Sequence, residues 1–380
     1  MPRVYPETFA ADYSRLEKTT FTRDRMRQLR CAVIGAGALG NEVARLLGLL
    51  GAAEVLVVDP DAVEASNLPR SVFFTVAKSV GRNKAQALAA TAQDLFRDTE
   101  WAAIRSEIAD VGFQRLAGVS LLFSCVDSDL ARLEIAYISR KLRIPVVDGG
   151  LGNRNYSRGR VTYFPAGPDY ACFGCMLTPK RRRELLELWD AHVRPCYPEN
   201  ADAEPVLPST PTMAGITASL AVELGLRRFF ETDIETKNNT PPCSRSFEIE
   251  IHPTRRMEEF TIPVSADCPF HHCDEILSAL PAEDSTFEEL LNRAGGEAVI
   301  LDWPVCVGAR CTDCGHQWAP MLRLAALRRR GRCLACGSRH LLELDAVRVI
   351  GRDSAWRQKP PAALQLPADH LYSVQRRHTP

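Results

Sequence analysis

The sequence lacks both an excess of one charge sign and a long hydrophobic run. Its 47 lysines and arginines balance its 47 aspartates and glutamates, so the overall charge does not favour nucleic acid or a membrane surface as a partner. No stretch approaches the roughly 18 uninterrupted apolar residues of a membrane-spanning helix. The first residues also lack the apolar core of a signal peptide. These absences predict a cytoplasmic protein with no membrane partner, and they argue against nucleic acid.

Cysteine, in contrast, is abundant for a protein of a reducing compartment. The chain has 13 cysteines among 380 residues, and eight of them form four close pairs, which favours zinc over disulfides. The pairs are Cys172 and Cys175, Cys268 and Cys273, Cys311 and Cys314, and Cys333 and Cys336. A chain of this length can bury one large core with a small appendage, or two modest domains.

A glycine-rich turn follows a predicted strand at residues 31–34 and precedes a predicted helix that ends near Leu50. Gly35, Gly37 and Gly40 have the G-x-G-x-x-G spacing, in which the first makes a tight turn, the second admits a phosphate and the third lets helix and strand pack closely. The start of the helix offers free N–H groups to an anion. The motif predicts a nucleotide site for NAD or ATP.

Charged residues farther along the chain favour ATP. Asp59 ends the second predicted strand, where its carboxylate can hold ribose hydroxyls. Arg70 and Lys84 follow in a polar loop and at the start of a helix, so we expect both to face phosphates. A nicotinamide dehydrogenase has no departing pyrophosphate to stabilise. Asp127 follows the fourth predicted strand, which suits a Mg²⁺ ligand or the N-cap of the next helix.

The alternation of strands and helices predicts an α/β fold with a doubly wound, Rossmann-like parallel sheet. Its strands are predicted at residues 31–34, 54–58, 101–108, 121–126 and 144–148. Alternating segments at 246–251 and 258–264 predict antiparallel strands that extend the sheet. These strands would also offer a surface to a protein substrate.

The order of these motifs resembles the ThiF/MoeB/HesA family of adenylating enzymes, which are similar to ubiquitin-activating enzymes. The resemblance covers roughly residues 10–270 and rests on five segments, namely GAGALG at 35–40, DPD at 59–61, SNLPR at 66–70, GRNK at 81–84 and CVD at 125–127. It implies ATP and Mg²⁺ as cofactors, with phosphates held by Gly35, Gly37, Gly40, Asn67, Arg70 and Lys84, ribose by Asp59 and Mg²⁺ by Asp127. It also implies a homodimer in which Arg15 enters the partner's active site as an arginine finger.

Residues 176–211 resemble the crossover loop of this family, which passes over the nucleotide and carries a cysteine nucleophile in the ubiquitin-type branch. Cys196 is the only cysteine of residues 176–211. The nearby Arg194 and the start of the next helix would favour its thiolate. We therefore expect Cys196 to form a thioester. The alternative is a cysteine that merely fills a gap, and Cys243 is the reserve nucleophile.

The first two cysteine pairs resemble the structural zinc site of small family members. Cys172 and Cys175 would supply two ligands and Cys268 a third. Cys273 is the preferred fourth ligand because all-cysteine structural sites are common and thiolates suit zinc. His271 or His272 could replace it.

The resemblance fades near residue 285, where a second zinc site is predicted. Two CxxCG turns, which contain Cys311, Cys314, Cys333 and Cys336, are typical of a zinc ribbon whose metal replaces a core that the segment is too short to build. We divide the chain into an N-terminal helical segment (1–30), an adenylation domain (31–284), a zinc ribbon (285–350) and a tail (351–380).

The sequence thus predicts an activating enzyme that adenylates the C-terminal carboxylate of a ubiquitin-like protein. Cys196 would then take the acyl group as a thioester for a conjugating enzyme. One alternative is adenylation of a sulfur-carrier protein or a peptide without a thioester. Another is a non-catalytic binding scaffold that contains zinc. The complete charged set of Asp59, Arg70, Lys84 and Asp127 argues against the scaffold and against an NAD enzyme.

Overall fold

The larger of two sheets has eight strands and forms the centre of the fold. The computed structural model describes residues 11–152, 156–189, 209–235, 243–271, 285–338 and 341–375. The strands of this sheet are β1 (Arg30–Ile34), β2 (Glu54–Val58), β3 (Glu100–Ile104), β4 (Leu121–Ser124), β5 (Val146–Leu151), β6 (Arg158–Phe164), β7 (Arg245–Glu250) and β8 (Arg256–Thr261). Their order is β3-β2-β1-β4-β5-β6-β7-β8. The first five strands in this order are parallel and the last three extend them antiparallel, which confirms the predicted fold class.

The third strand is shorter than predicted. It ends at Ile104, and Ile108–Asp110 forms a separate 3₁₀ turn. The polar residues 105–107 interrupt the strand. Ile108 is buried in the hydrophobic core that also contains Ala32 and Ile34 of β1.

Helices cover both faces of the sheet. They are α1 (Arg23–Met26), α2 (Ala38–Leu50), α3 (Val76–Ser79), α4 (Lys84–Leu95), α5 (Phe113–Leu116), α6 (Asp129–Leu142), α7 (Phe173–Met176), α8 (Pro179–Glu187), α9 (Pro211–Glu235), α10 (Phe287–Ala294) and α11 (Leu324–Arg330). Side chains alternate along a strand, so Cys31 and Val33 enter the core beside α2 and α9, whereas Ala32 and Ile34 enter the core beside α6. No helix of the described residues is long and apolar enough to cross a membrane.

The C-terminal part of the chain forms a second sheet of five strands around a long central strand. These strands are β9 (Ala298–Cys311), β10 (Gln317–Trp318), β11 (Leu322–Arg323), β12 (Leu341–Gly351) and β13 (Ser373–Gln375). Each of the other four pairs antiparallel with β9. We call the described residues from 285 to 375 the C-terminal domain.

The expectation that this segment is too short to build a core was wrong. A separate hydrophobic cluster joins α10, β9, β12 and the residues after 351. Leu364, Tyr372 and Val374, which lie in the predicted tail, are buried in it. These apolar residues are widely spaced in a polar, proline-rich stretch, so no local periodicity indicates their burial.

Candidate nucleotide and metal sites

The glycine turn lies where β1, β2 and β4 end. Gly35 has a positive φ of 94°, and its N–H donates to the carbonyl oxygen of Val58 at 2.8 Å. A Cβ atom at Gly35 would lie 2.7 Å from the backbone oxygen of Cys125. The first glycine is therefore required both by backbone conformation and by the close approach of β4.

The other two glycines differ in what surrounds them. A Cβ at Gly40 would lie 1.9 Å from the oxygen of Gly35, so α2 packs directly on the turn. A Cβ at Gly37 would meet no atom of the described residues within 4 Å, and Gly37 is the N-cap of α2. Open space beside a helix N-terminus fits a bound phosphate.

Asp59 holds the glycine turn in place through hydrogen bonds from the backbone. Its carboxylate accepts from the N–H of Ala36 at 2.7 Å and from that of Asp61 at 2.8 Å. Only 5% of Asp59 is exposed, and this burial raises its pKa above the ordinary value. Each oxygen of the Asp59 carboxylate has a second lone pair that could accept a hydrogen bond from a ribose hydroxyl. The role of Asp59 in ribose binding remains a prediction.

Asn41 is a structural element of the turn that the sequence reasoning missed. Its Nδ2 donates to the carbonyl oxygens of Ala36 and Gly37 at 2.8 and 3.1 Å, and its Oδ1 accepts from the N–H of Phe73 at 3.1 Å. The residue is fully buried. A polar side chain directly after the third glycine, on an apolar helix, is the signal that could have identified it.

Lys84 begins α4 beside the end of β2. Its Nζ lies 3.1 Å from a carboxylate oxygen of Asp61, and its side chain is mostly buried. Asn83 caps the helix by accepting from the N–H of Gln86 at 3.1 Å and donates to the carbonyl oxygen of Asp59 at 2.8 Å. The helix start is therefore tied to the same strand end as the glycine turn.

Arg70 and Asn67 lie on the 3₁₀ segment Ala65–Arg70. Arg70 donates from Nη1 to the hydroxyl of Ser209 at 2.6 Å, just before α9 begins. Asn67 is buried, and its Oδ1 accepts from the N–H of Glu64 at 2.9 Å, which closes a capping box. A phosphate can accept only from the Asn67 Nδ2, which is separate from the oxygen that serves this turn. The phosphate contact from Asn67 stays a prediction.

Asp127 follows β4 and is exposed, with no hydrogen bond or ion pair to another described residue. The N-cap of α6 is Ser128, whose hydroxyl accepts from the N–H of Ala131 at 3.5 Å. Helix capping thus does not occupy the Asp127 carboxylate. An acidic oxygen of this kind fits Mg²⁺.

Arg15 lies at the other end of α2 from the glycine turn. Tyr13 donates its hydroxyl to Asp98 at 2.9 Å and stacks under the Arg23 guanidinium, 4.2 Å from the ring centroid. Arg23 in turn donates to the carbonyl oxygen of Gly51, the C-cap of α2, at 3.0 Å. Because α2 has 13 residues, it separates this anchor from Gly37 by about 20 Å.

Cys196 and the surrounding segment lie outside the described residues. The reserve candidate, Cys243, lies two residues before β7 and accepts a hydrogen bond from Arg245 Nε at 3.2 Å. Arg245 pairs with Tyr163 in β6, which pairs with Val147 near the start of β5. The start of β5 and the glycine turn lie at opposite ends of the parallel strands. Cys243 is therefore at the end of the sheet opposite the glycine turn.

An apolar groove runs between α9 and the β7–β8 hairpin. It is lined by Thr212, Gly215, Ile216, Ser219, Leu220, Glu223, Ile249 and Met257. Ile216 and Met257 are 40% and 61% exposed. The groove begins near Thr212, three residues after the Ser209 that contacts Arg70.

The first predicted metal group converges in the structure. One ligand atom from each of Cys172, Cys175, Cys268 and His271 lies within 4.8 Å of all the others. The Sγ of Cys175 is 2.8 Å from His271 Nε2. Three thiols and an imidazole suit a tetrahedral zinc ion. Cys273 and His272 lie outside the described residues, so the choice of fourth ligand stays a prediction.

The second predicted metal group also converges. The thiols of Cys311, Cys314, Cys333 and Cys336 lie within 4.8 Å of one another. Gly315 and Gly337 follow the two CxxC pairs with φ of 70° and 73°. This left-handed conformation favours glycine and turns both pairs toward one point, as a zinc ribbon requires. Both groups could hold zinc, and the number of bound ions stays a prediction.

Comparison with known proteins identifies the family of the chain. The sequence matches the model of the ThiF family over residues 13–269. Ubiquitin-like modifier-activating enzyme 5 of Drosophila virilis is 28% identical over an alignment of 233 residues that covers 57% of this chain and 55% of that protein. Adenylyltransferase and sulfurtransferase UBA4 of Meyerozyma guilliermondii is 30% identical over 150 residues, or 39% of this chain and 35% of that protein. The chain therefore spans about half or less of the length of these relatives.

A solved structure has a similar fold. The microcin C7 biosynthetic enzyme MccB, in complex with N-formylated MccA, superposes with a TM-score of 0.51 and 16% identity, covering 66% of this chain and 70% of that one. At this identity the likeness concerns the fold alone.

Proposed function

Because the chain belongs to the ThiF family, we propose that it adenylates the C-terminal carboxylate of a ubiquitin-like protein with ATP. The observation that carries the proposal is the open space at Gly37, beside the N-terminus of α2. Lys84 and Asp127 lie at the same end of the sheet, at the carboxyl ends of the parallel strands, where doubly wound folds bind their ligands. One cation and one carboxylate at a phosphate site match a Mg²⁺-nucleotide better than NAD.

The proposed first step joins the substrate to AMP. A carboxylate oxygen of the substrate attacks the α-phosphorus, a new P–O bond forms, and the bond to the pyrophosphate leaving group breaks. The N–H groups at the start of α2, with Arg70 and Lys84, would offset the negative charge of the phosphates. Bound at Asp127, Mg²⁺ would supply further charge neutralisation.

The proposed second step transfers the acyl group to Cys196. The thiolate attacks the acyl carbonyl, a C–S bond forms, and AMP leaves with the electrons of the broken C–O bond. Support comes from the resemblance of the segment around Cys196 to the crossover loop of the family. The alternative nucleophile, Cys243, lies at the end of the sheet opposite the glycine turn, which also favours Cys196. The thioester would then pass to a conjugating enzyme.

A homodimer completes the proposed site. Arg15 is anchored about 20 Å from Gly37 along α2 of its own chain, too far for it to act on phosphates held by the same subunit. An exposed arginine at this distance can serve the reaction only in a second copy. The groove between α9 and the β7–β8 hairpin is the surface that we assign to the substrate, because its exposed apolar residues lead toward Arg70.

A second candidate function is the activation of a sulfur-carrier protein without a thioester. The relative named adenylyltransferase and sulfurtransferase favours it, since it is 30% identical over the 150 residues that match. Both functions share the adenylation step and differ in the role of Cys196.

The first experiment measures exchange of radiolabelled pyrophosphate into ATP in the presence of ubiquitin-like proteins that end in glycine. Exchange that depends on such a protein supports adenylation, and its absence across the panel contradicts the proposal. Arg70→Ala should abolish most exchange. Lys78→Ala, which changes an exposed lysine on α3, is the matched control and should not.

The second experiment examines the adduct between enzyme and substrate. A thiol-sensitive adduct should disappear in Cys196→Ala while exchange continues, and it should persist in Cys243→Ala. Exchange without any adduct supports the sulfur-carrier function. Loss of the adduct in Cys243→Ala alone would show that Cys196 is not the nucleophile.

A further inference from the structure

A mostly buried arginine joins the ends of two neighbouring strands beside Asp127. Arg132 lies in the first turn of α6, and its side chain is 11% exposed. Its Nε donates to a carboxylate oxygen of Asp148 in β5 at 3.0 Å. Its Nη2 donates to the carbonyl oxygen of Val126 at 2.6 Å and to that of Gly149 at 3.3 Å. One guanidinium therefore connects β5 to the loop that follows β4.

The Asp148 carboxylate is a fixed anchor for this arginine. It is 1% exposed, and it also accepts from the Ser124 hydroxyl at 2.7 Å and from Arg160 Nη2 at 3.2 Å. Ser124 ends β4 and Arg160 belongs to β6, so three adjacent strands contribute to the network. Buried ion pairs of this kind resist separation, because either partner alone would be an uncompensated charge.

The hydrogen bond to the Val126 carbonyl bears directly on Asp127. That carbonyl and the N–H of Asp127 belong to one planar peptide group, so a donor held on the oxygen fixes the plane from which Asp127 extends. On the other side of Asp127, the helix cap by Ser128 is weak, because its hydroxyl lies 3.5 Å from the N–H of Ala131. Arg132 therefore holds the peptide group that carries Asp127.

We propose that Arg132, anchored by Asp148, is a positioning residue for the metal ligand Asp127. The inference rests on the proposed function, in which Mg²⁺ binds at the Asp127 carboxylate beside the phosphates. Groups that orient a metal ligand through hydrogen bonds contribute to the metal affinity of the site. The guanidinium itself is engaged within the protein, since its Nη1 lies 3.9 Å from Asp129 and its other nitrogens have the partners given above. Arg132 thus acts through the peptide group between Val126 and Asp127.

The test measures how much Mg²⁺ strengthens the binding of an ATP analogue that has a methylene bridge between its α- and β-phosphates. Calorimetric titrations with Mg²⁺ and with EDTA give two dissociation constants, and their ratio is the metal-dependent gain. Arg132→Ala should reduce this gain about tenfold or more, while the affinity in EDTA changes less than about twofold. A purely structural defect would instead weaken binding equally in both titrations.

Two further variants sharpen the comparison. Arg132→Lys keeps a cation beside Asp148 and so protects the fold, but one ammonium cannot reproduce the guanidinium fork that also reaches Val126. It should lose the gain as Arg132→Ala does. Arg181→Ala is the matched control, because Arg181 donates to Asp129 at the start of α6 at 2.9 Å and its described partners do not include the Val126 carbonyl. It should keep the wild-type gain.

Asp127→Asn decides whether Arg132 acts through Asp127. This substitution should itself remove most of the metal-dependent gain, and adding Arg132→Ala to it should have little further effect, since the two residues then form one coupled unit. Fully additive losses, equal weakening with Mg²⁺ and with EDTA, or a wild-type gain in Arg132→Lys would overturn the inference.

The same titrations separate the inference from the proposed function, because they contain no ubiquitin-like protein. If no such protein drives pyrophosphate exchange but the variants lose the gain as described, the substrate assignment fails and the positioning role stands. If Asp127→Asn removes the gain while both Arg132 variants keep it, the inference fails and the metal role of Asp127 stands. If Asp127→Asn keeps the full gain, the metal role of Asp127 fails and the inference fails with it.

Discussion

Arg323 of the C-terminal domain and Glu134 of α6 form an ion pair of 2.9 Å in which both side chains are buried. Arg323 also pairs with Glu107 and Asp110, and Arg329 pairs with Glu107 at 2.9 Å. Three carboxylates thus face two guanidiniums. Glu134 is the most buried of the three carboxylates, and this burial raises its pKa to about 7. The negative charge of Glu107 also raises this pKa, whereas the Arg323 guanidinium lowers it.

The shifted pKa of Glu134 predicts a specific pH dependence of stability. The unfolded chain releases this proton near the ordinary value of 4.5, whereas the folded protein keeps it until about pH 7. The folded state binds more protons in this window, so the free energy of unfolding contributed by Glu134 falls as the pH rises through it. Glu134→Gln does not titrate. Relative to wild type, it should gain up to about 3 kcal/mol between about pH 5 and about pH 7.5.

Urea unfolding at a series of pH values measures this difference. Glu258→Gln, which changes an exposed glutamate on β8, is the control for the substitution itself. If the free energy of unfolding of Glu134→Gln runs parallel to that of the wild type at every pH, then Glu134 is ionised in the folded protein over the whole pH range measured.

Asn41 should be essential for nucleotide affinity although it is buried. Asn41→Ala leaves the carbonyl oxygen of Ala36 and the N–H of Phe73 without this partner. It also removes one of the two donors to the carbonyl oxygen of Gly37, which keeps the backbone N–H of residue 41. We expect a loss of about 1–3 kcal/mol of stability and a raised KM for ATP, because the turn would no longer be held in one conformation. Denaturant unfolding and pyrophosphate exchange measure the two effects. Asn292→Ala, on the exposed side of α10, is the control, and an unchanged KM in Asn41→Ala would refute the positioning role.

The sequence was sufficient to predict the sheet and the glycine turn because these depend on local patterns. Gly35, Gly40 and the strand before them carry their structural requirement in the spacing itself. The roles of Asn41 and Asn83 were not predicted, since each depends on which backbone groups the fold brings to the side chain. A polar residue on a helix gives no local sign of its partners.

The C-terminal domain shows a second limit of sequence reasoning. The CxxCG pairs are a local signal and predict convergence of the four thiols. The core beneath them was not predicted, because Phe287, Ile350 and Tyr372 come from distant positions and meet only through the pairing of β12 and β13 with β9. Long-range contacts of this kind leave no periodicity in any one segment.

The fourth ligand of the first metal group can be decided by substitution. Because His271 Nε2 lies 2.8 Å from the Cys175 thiol, we expect His271→Ala to weaken metal binding and Cys273→Ala to leave it intact. Cobalt-substituted protein provides the measurement, since the visible bands of Co²⁺ change with the number of thiolate ligands. The opposite pattern would identify Cys273 as the ligand, which the sequence alone favours. The ribbon group, unchanged in both variants, is the internal reference.

Mixing two inactive variants tests whether Arg15 acts in the second subunit. Arg15→Ala and Lys84→Ala should each abolish most pyrophosphate exchange. In a mixed dimer, one site combines the intact Lys84 of one chain with the intact Arg15 of the other, while the second site lacks both. Random reassortment makes half of the dimers mixed, so about a quarter of wild-type activity should return. Mixing Lys84→Ala with Arg70→Ala is the control, because those residues belong to the same site and cannot complement each other. An absence of recovery with Arg15→Ala, when mass spectrometry confirms mixed dimers, would show that Arg15 does not complete the partner's site.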